Sequence, residues 1–302
     1  MKSYTSKTVA WHQAIGNFLS QYRALSRQSK NMVESMAEVV EGYREVEEHI
    51  GRDLSECRVL ELGHGQLPLQ NAYFACRAKS AIGLDIDVVP NGLKPFKYFE
   101  LLRSNGIKRT IKTLSREVLG FNRKFRNAFV KVMEIKKFPA LDLRRGDATQ
   151  KIELPDNSID VVYSTDVFEH LSDPENAILE IKRVLAPGGV VVTRTLHWGH
   201  FNALHDIRVI VGEVQGRWAH LRPAIANEVQ QGAYVNELRI GDWLELFESH
   251  FGKMTHKLIP SPEPELTQLR TELDAARQAD ELAAYEDDEL LAFHLLMRCE
   301  VE

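Results

Sequence analysis

Arg58-Val-Leu-Glu-Leu-Gly-His-Gly-Gln-Leu-Pro68 decides how this 302-residue chain is read. Its first five residues form a short run with alternating apolar side chains that stops at two glycines, the pattern of a buried strand entering a tight turn. Gln66 to Lys79 then reads as a helix. Ala81-Ile-Gly-Leu-Asp-Ile86 reads as a second strand that closes on Asp85 and Asp87, with Pro90, Asn91 and Gly92 following as breakers. Strand, helix and strand within about 30 residues is the spacing of a βαβ unit, whose strands run parallel and whose crossover is right-handed.

The alternation continues outward. Ile159-Asp-Val-Val-Tyr163 is a strand and Glu175 to Leu185 a helix, with Asp173 placed to cap it and Pro174 at its first position. Pro187-Gly188-Gly189 is expected to stop that helix, and Val190-Val-Val-Val-Thr-Arg-Thr195 is the clearest β run. Asp242 is expected to cap a helix carrying Trp243, Leu244, Leu246 and Phe247, and Leu290 to Val301 to form a closing strand. From Trp11 to Ile50, apolar residues recur near helical spacing. The expected organisation is an N-terminal helical layer over 1–57 and an α/β domain over 58–302.

The chain is 44% hydrophobic and 27% charged with a net charge of -5, which excludes a protein basic throughout and makes any contact with an anionic partner local. Cys57, Cys76 and Cys299 are scattered and lack metal-site spacing, as expected of reduced thiols. No apolar run approaches the roughly 20 residues of a membrane span, and the N-terminus lacks the apolar stretch of a signal peptide. These features predict a soluble cytoplasmic protein. Residues 91–139 stand apart, with thirteen Lys and Arg against three Glu and interleaved Phe, Leu and Ile. They are expected to form an inserted basic helical cap. It could be a solvated face, a contact for a phosphate-bearing acceptor, or a contact for an anionic membrane.

The glycine turn brings a ligand close to the backbone, and Asp85 lies about 20 residues further on, where a carboxylate accepts from ribose hydroxyls. Pro68 stands where a dinucleotide fingerprint needs a third glycine, which argues against NAD. Glu61, an acid just before the glycines, suits a sulfonium ligand with an amino group better than a diphosphate.

Together with Arg145-Gly-Asp-Ala148, Asp160-Val-Val-Tyr-Ser-Thr-Asp-Val-Phe-Glu-His-Leu171 and Arg183-Val-Leu-Ala-Pro-Gly-Gly189, these stretches resemble the ordered motifs of class I S-adenosylmethionine-dependent methyltransferases. The resemblance covers roughly Arg58 to Thr195. It implies a Rossmann-like, doubly wound, mostly parallel seven-stranded sheet and S-adenosylmethionine as cofactor. It further implies that Glu61, Gly63 and Gly65 surround the methionine part, that Asp85 with Ile86 holds the ribose, that Asp147 and Ala148 meet the adenine, and that Thr165 and Asp166 line the floor.

Methyl transfer to a hydroxyl needs a base, and a neutral histidine near pH 7 is suited to the task. His170, just after the fourth strand, is the first candidate. His200, His205 and His220, in the histidine-rich acceptor-side region 196–239, are the others. No residue is assigned to a metal. A divalent ion on Asp166, Glu169 and His170, a set resembling that of some quinone-type O-methyltransferases, is the less favoured alternative. The expected activity is O-methylation of a sugar, a glycan or another small-molecule hydroxyl. Two further readings are an RNA-directed methyltransferase, disfavoured because Ser164-Thr-Asp-Val167 lacks the motif that positions a base amine, and a non-catalytic scaffold.

Overall fold

The computed structural model describes residues 32–87 and 95–301. The helical spacing expected before residue 32, the breakers at 90–92 and Lys94 lie outside these. The described elements run in the order α1 (Met32–Ile50), β1 (Arg58–Leu62), α2 (Leu69–Arg77), β2 (Ser80–Asp85), α3 (Pro95–Val118), α4 (Phe121–Val132), β3 (Asp142–Arg145), β4 (Ile159–Thr165), α5 (Pro174–Val184), β5 (Leu185–Thr195), α6 (Ile207–Ile210), α7 (Ile240–His250), β6 (Lys253–Pro260), α8 (Glu265–Gln278), α9 (Asp287–Leu291) and β7 (Ala292–Glu300).

The strands form one seven-stranded sheet in the order β3-β2-β1-β4-β5-β7-β6. The ladders among the first five are parallel, whereas β7 runs antiparallel to both β5 and β6. Strand order reverses between β1 and β4, so the crevice beyond their carboxyl ends is where an open α/β sheet binds its ligand.

Period-two alternation builds a core on each face. Leu60, Val162 and Val191 pack on one side with Ile178 and Ile181 of α5 and Trp243 and Phe247 of α7. Val59, Val161, Val190 and Val192 pack on the other with Met36 and Val40 of α1, Phe74 of α2 and Phe129 of α4. Burying a side chain of this size contributes about 1.5–3 kcal/mol relative to leaving it exposed. At the opposite end from the crevice, the Arg58 guanidinium donates to both carboxylate oxygens of Asp160 at 2.8 Å, joining β1 to β4.

Local structure departs from expectation at three points. The second helix begins at Leu69 rather than Gln66, with Pro68 preceding it as cap. Pro187-Gly188-Gly189 does not form a connection between helix and strand: α5 ends at Val184, and the three residues lie within β5 as a bulge. The partner of Ile159 is Leu185 and the partner of Val161 is Val190. A Cβ on Gly189 would come within 2.7 Å of the Ala186 carbonyl oxygen, so this bulge needs glycine there. Asp242 sits inside α7 rather than before it, and its carboxylate accepts from the Arg239 backbone N–H at 2.8 Å. Asp173 and Pro174 do start α5, with the Asp173 side chain accepting from the Asn176 N–H.

Among the described residues, no helix is long and apolar enough to cross a membrane.

Candidate active site

The carboxyl ends of β1 and β2 are tied by one side chain. Asp85 Oδ2 accepts from the Gly65 N–H at 2.9 Å and Oδ1 from the Asp87 N–H at 2.8 Å, which fixes the carboxylate across the mouth of the turn. Each oxygen keeps a lone pair for a further donor. Gly63 and Gly65 both have left-handed backbone, at φ 75° and 62°, and a Cβ on Gly63 would fall 2.1 Å from Val167 Cγ2. We therefore expect Gly63→Ala to destabilise the fold by about 1–3 kcal/mol through backbone strain alone, with the contact adding to it. The check is the urea midpoint of the variant against Gly65→Ala, whose Cβ would meet nothing within 4 Å.

Glu61, the last but one residue of β1, is 4% exposed, and its Oε2 has no hydrogen-bond partner among the described residues. Burial pushes its carboxyl up to about 8, and the nearby Asp85 charge adds to the rise. A buried acid with an orphaned oxygen, set against a glycine turn, is complementary to a cationic ligand group. On this observation the residues fit S-adenosylmethionine, whose ammonium would meet Glu61 and whose ribose would meet Asp85.

The next strand ends close this crevice. Gly146 N–H donates to the Asp85 carbonyl at 2.9 Å, and Arg145 Nε to the Ile86 carbonyl at 3.2 Å, so β3 is fastened to the carboxyl end of β2. The Ile86 side chain is exposed and Ala148 is buried. Asp147 Oδ1 accepts from both the N–H and the hydroxyl of Thr149, which makes it the head of a turn as well as a candidate adenine contact. Thr165 donates to the Tyr163 hydroxyl at 2.6 Å. Asp166, in left-handed backbone at φ 54°, pairs with His294 Nε2 at 2.7 Å. Burial would raise its carboxyl, but the His294 hydrogen bond and charge hold it below the usual carboxylate value.

Beyond β4 a short helical turn, Phe168–His170, carries the chemistry-bearing groups. The segment around Tyr234 and Asn236 wraps it: Asn236 N–H donates to the Glu169 carbonyl, and its side-chain amide donates to the carbonyls of Phe168 and Leu171. His170 Nδ1 lies 2.6 Å from the Tyr234 carbonyl oxygen. A carbonyl can only accept, so Nδ1 carries the proton and Nε2 of the neutral ring is left as the acceptor. The His205 ring stands 4.8 Å from that of His170. Its Nε2 is buried without a partner among the described residues, and burial and the neighbouring His170 push it down to about 4.

Glu169 is 2% exposed. Its Oε2 accepts from the Thr195 hydroxyl at 2.9 Å, Oε1 has no partner among the described residues, and burial, with Asp166 adding, pushes it up to about 8. Ligand atoms of Glu169, His170 and His205 lie within 4.8 Å of one another, a set able to hold a divalent cation. Asp166, named with Glu169 and His170 from the sequence, is not in that set; its Oδ1 meets His294 instead.

The remaining candidate histidines are placed elsewhere. His200 is 2% exposed between Phe201 and Phe293, and its Nδ1 accepts from the Asn202 N–H, so it is a neutral core residue held far below its usual pKa by burial. His220 donates from Nε2 to the Trp198 carbonyl at 2.8 Å and packs against that indole, with burial pushing it down to about 4. The structure thus brings together His170 and His205 and sets His200 and His220 into packing. His294 and the Tyr234 carbonyl were not read from the sequence. A histidine in an apolar strand and a backbone oxygen carry no pattern that singles them out.

A doubly wound sheet of order 3-2-1-4-5 with an antiparallel seventh strand, bearing an acid and a glycine turn at its switch point, defines a Rossmann-like α/β protein with its ligand crevice at that point. The family described as Methyltransferase domain matches residues 105–193. The chain is 42% identical over 59 residues to a probable S-adenosylmethionine-dependent methyltransferase of Mycolicibacterium smegmatis, covering 20% of this chain and 23% of that protein. It is 33% identical over 57 residues to the ubiquinone biosynthesis O-methyltransferase of Maricaulis maris, covering 19% of this chain and 22% of that protein. These matches span about a quarter or less of the relatives' length. An S-adenosylmethionine-dependent methyltransferase structure from Mesorhizobium loti aligns over 82% of this chain and 93% of its own, at 13% identity and a TM-score of 0.42. Over part of its length the chain is thus similar to S-adenosylmethionine-dependent methyltransferases.

Proposed function

We propose that this protein transfers the methyl group of S-adenosylmethionine to a hydroxyl of a sugar, a glycan or another small molecule. The observation that carries this reading is the pair of groups at the two ends of the crevice. Glu61 offers a buried carboxyl whose Oε2 has no partner among the described residues, and His170 offers Nε2 on the acceptor side.

When bound, the cofactor supplies an electrophilic methyl on a sulfonium. The chain's own groups then align and deprotonate. Asp85 holds the ribose end, Glu61 the amino end, and the turn at Gly63 admits the ligand against the backbone. An alcohol is a poor nucleophile until its proton leaves, and His170 Nε2 receives that proton as the oxygen forms its bond to carbon. The Tyr234 carbonyl keeps the ring in the competent tautomer and orientation. His205, pushed down to about 4, stays neutral beside it and adds no repelling charge. The test is transfer of labelled methyl to a panel of sugars and phenols, with the product linkage identified by mass spectrometry. Methylation of nitrogen or carbon alone would overturn the hydroxyl assignment.

A second outcome follows from Glu61. Its carboxyl, at about 8 in the free protein, is mostly protonated at pH 7, and the arriving ammonium favours the carboxylate. Binding at pH 7 therefore expels a proton, whereas at pH 9, above that value, it does not. Calorimetry in buffers of different ionisation enthalpy measures this, and Glu61→Gln should abolish the pH 7 release.

A further inference from the structure

Helix α3 turns the wrong face outward for a helix that packs on a core. Ile107, Ile111, Leu114 and Val118 follow one another at spacings of four, three and four, which puts them on a single stripe. That stripe faces solvent, with Ile107 65% and Val118 66% exposed. The opposite side of the same half-helix carries Arg109, which pairs with Asp87, and Arg116, whose guanidinium burial holds below its usual value. Before the kink at Gly106, Phe96 and Phe99 are also exposed, at 64% and 62%. Folded monomers rarely leave a continuous apolar stripe uncovered without a use for it.

The charge around the stripe selects what covers it. Arg103 on α3 and Arg123, Lys124 and Lys131 on α4 are exposed, in a segment where thirteen Lys and Arg face three Glu. A second copy of the chain would set this positive charge against itself. A nucleic acid would meet the charge and could stack on Phe96 and Phe99, but it would leave the aliphatic stripe of Ile107, Ile111, Leu114 and Val118 uncovered. An anionic lipid surface satisfies both features: the acyl boundary takes the aliphatic and phenyl groups, and headgroup phosphates take the guanidinium and ammonium groups.

We propose that α3 and α4 dock this protein peripherally on an anionic membrane, with α3 lying in the interface. An open cleft of about 490 Å³ between α3 and β3 is lined by Phe99, Glu100, Arg103, Ser104 and Arg145. Since Arg145 is bonded to Ile86, docking holds the Asp85 end of the crevice beside the lipid. The proposal stands whether or not the acceptor is a hydroxyl.

The test is flotation of the full chain with vesicles of phosphatidylcholine, and with vesicles of equal parts phosphatidylcholine and phosphatidylglycerol. Binding is expected to the anionic vesicles alone and to be lost in high salt. Each basic side chain near the surface contributes about fivefold, so the combined Arg123→Gln, Lys124→Gln and Lys131→Gln variant should partition roughly a hundredfold more weakly. Ile107→Ser with Ile111→Ser and Val118→Ser should also lose binding at unchanged circular dichroism, since these side chains are exposed in the folded protein. Four results would overturn the proposal: no binding to either vesicle, equal binding to both, a dimer that the serine variant dissolves, or capture by single-stranded RNA in preference to vesicles.

Discussion

Asp85→Ala is expected to weaken binding of S-adenosylmethionine by about a hundredfold or more. Hydrogen bonds to a charged acceptor contribute about 1.5–3 kcal/mol each, the carboxylate has lone pairs for two ribose hydroxyls, and every 1.4 kcal/mol is about tenfold in affinity. The substitution also frees the N–H groups of Gly65 and Asp87, which the carboxylate holds in the native turn. Asp85→Asn separates these effects, because its amide oxygen can still accept from one of them while the charge is lost. Titration calorimetry on both variants should give a graded loss, alanine beyond asparagine, with an unfolding midpoint that moves less for asparagine. Equal affinity in all three proteins would remove Asp85 from the cofactor site.

His170→Ala is expected to lower kcat for methyl transfer to a hydroxyl by about 10²–10⁴-fold, the usual contribution of a positioned general base. Cofactor affinity should not change, since His170 bonds to Tyr234 on the acceptor side and touches neither Glu61 nor Asp85. The decisive readout is the pH profile. The dependence of kcat on pH in the wild type should differ from that in the variant, which lacks the base. His200→Ala serves as the contrast, because His200 sits between Phe201 and Phe293. Its removal should act on stability and leave the pH profile in place. An unaltered profile in His170→Ala would move the base to His205.

The scaffold was legible where local pattern and global packing agree. Alternation in Val59 to Leu62 and in Val190 to Thr195 follows directly from burial on both faces of a parallel sheet, and Gly63, in left-handed backbone, lets the turn after β1 approach Val167. The Pro-Gly-Gly bulge was not legible, because the same residues that end a helix also permit a kinked strand, and the choice depends on pairing with β4 across the sheet. Histidine density in 196–239 pointed to the correct neighbourhood but could not separate roles. His205 and His200 are both rich in potential, and the difference between them is made by tertiary contacts, an aromatic cage for one and the His170 ring for the other. Asp166 was placed among possible cation ligands on resemblance to the set of some quinone-type O-methyltransferases. Its commitment to His294, far along the chain on β7, could come only from the antiparallel pairing of β7 with β5.

An adenosyl-cofactor site spanning Glu61, the glycine turn and Asp85 is checked by isothermal calorimetry of the purified protein with S-adenosylmethionine, S-adenosylhomocysteine and NAD. Both adenosyl ligands should bind and NAD should not. Binding of NAD in place of the other two, or of none of the three, would contradict it.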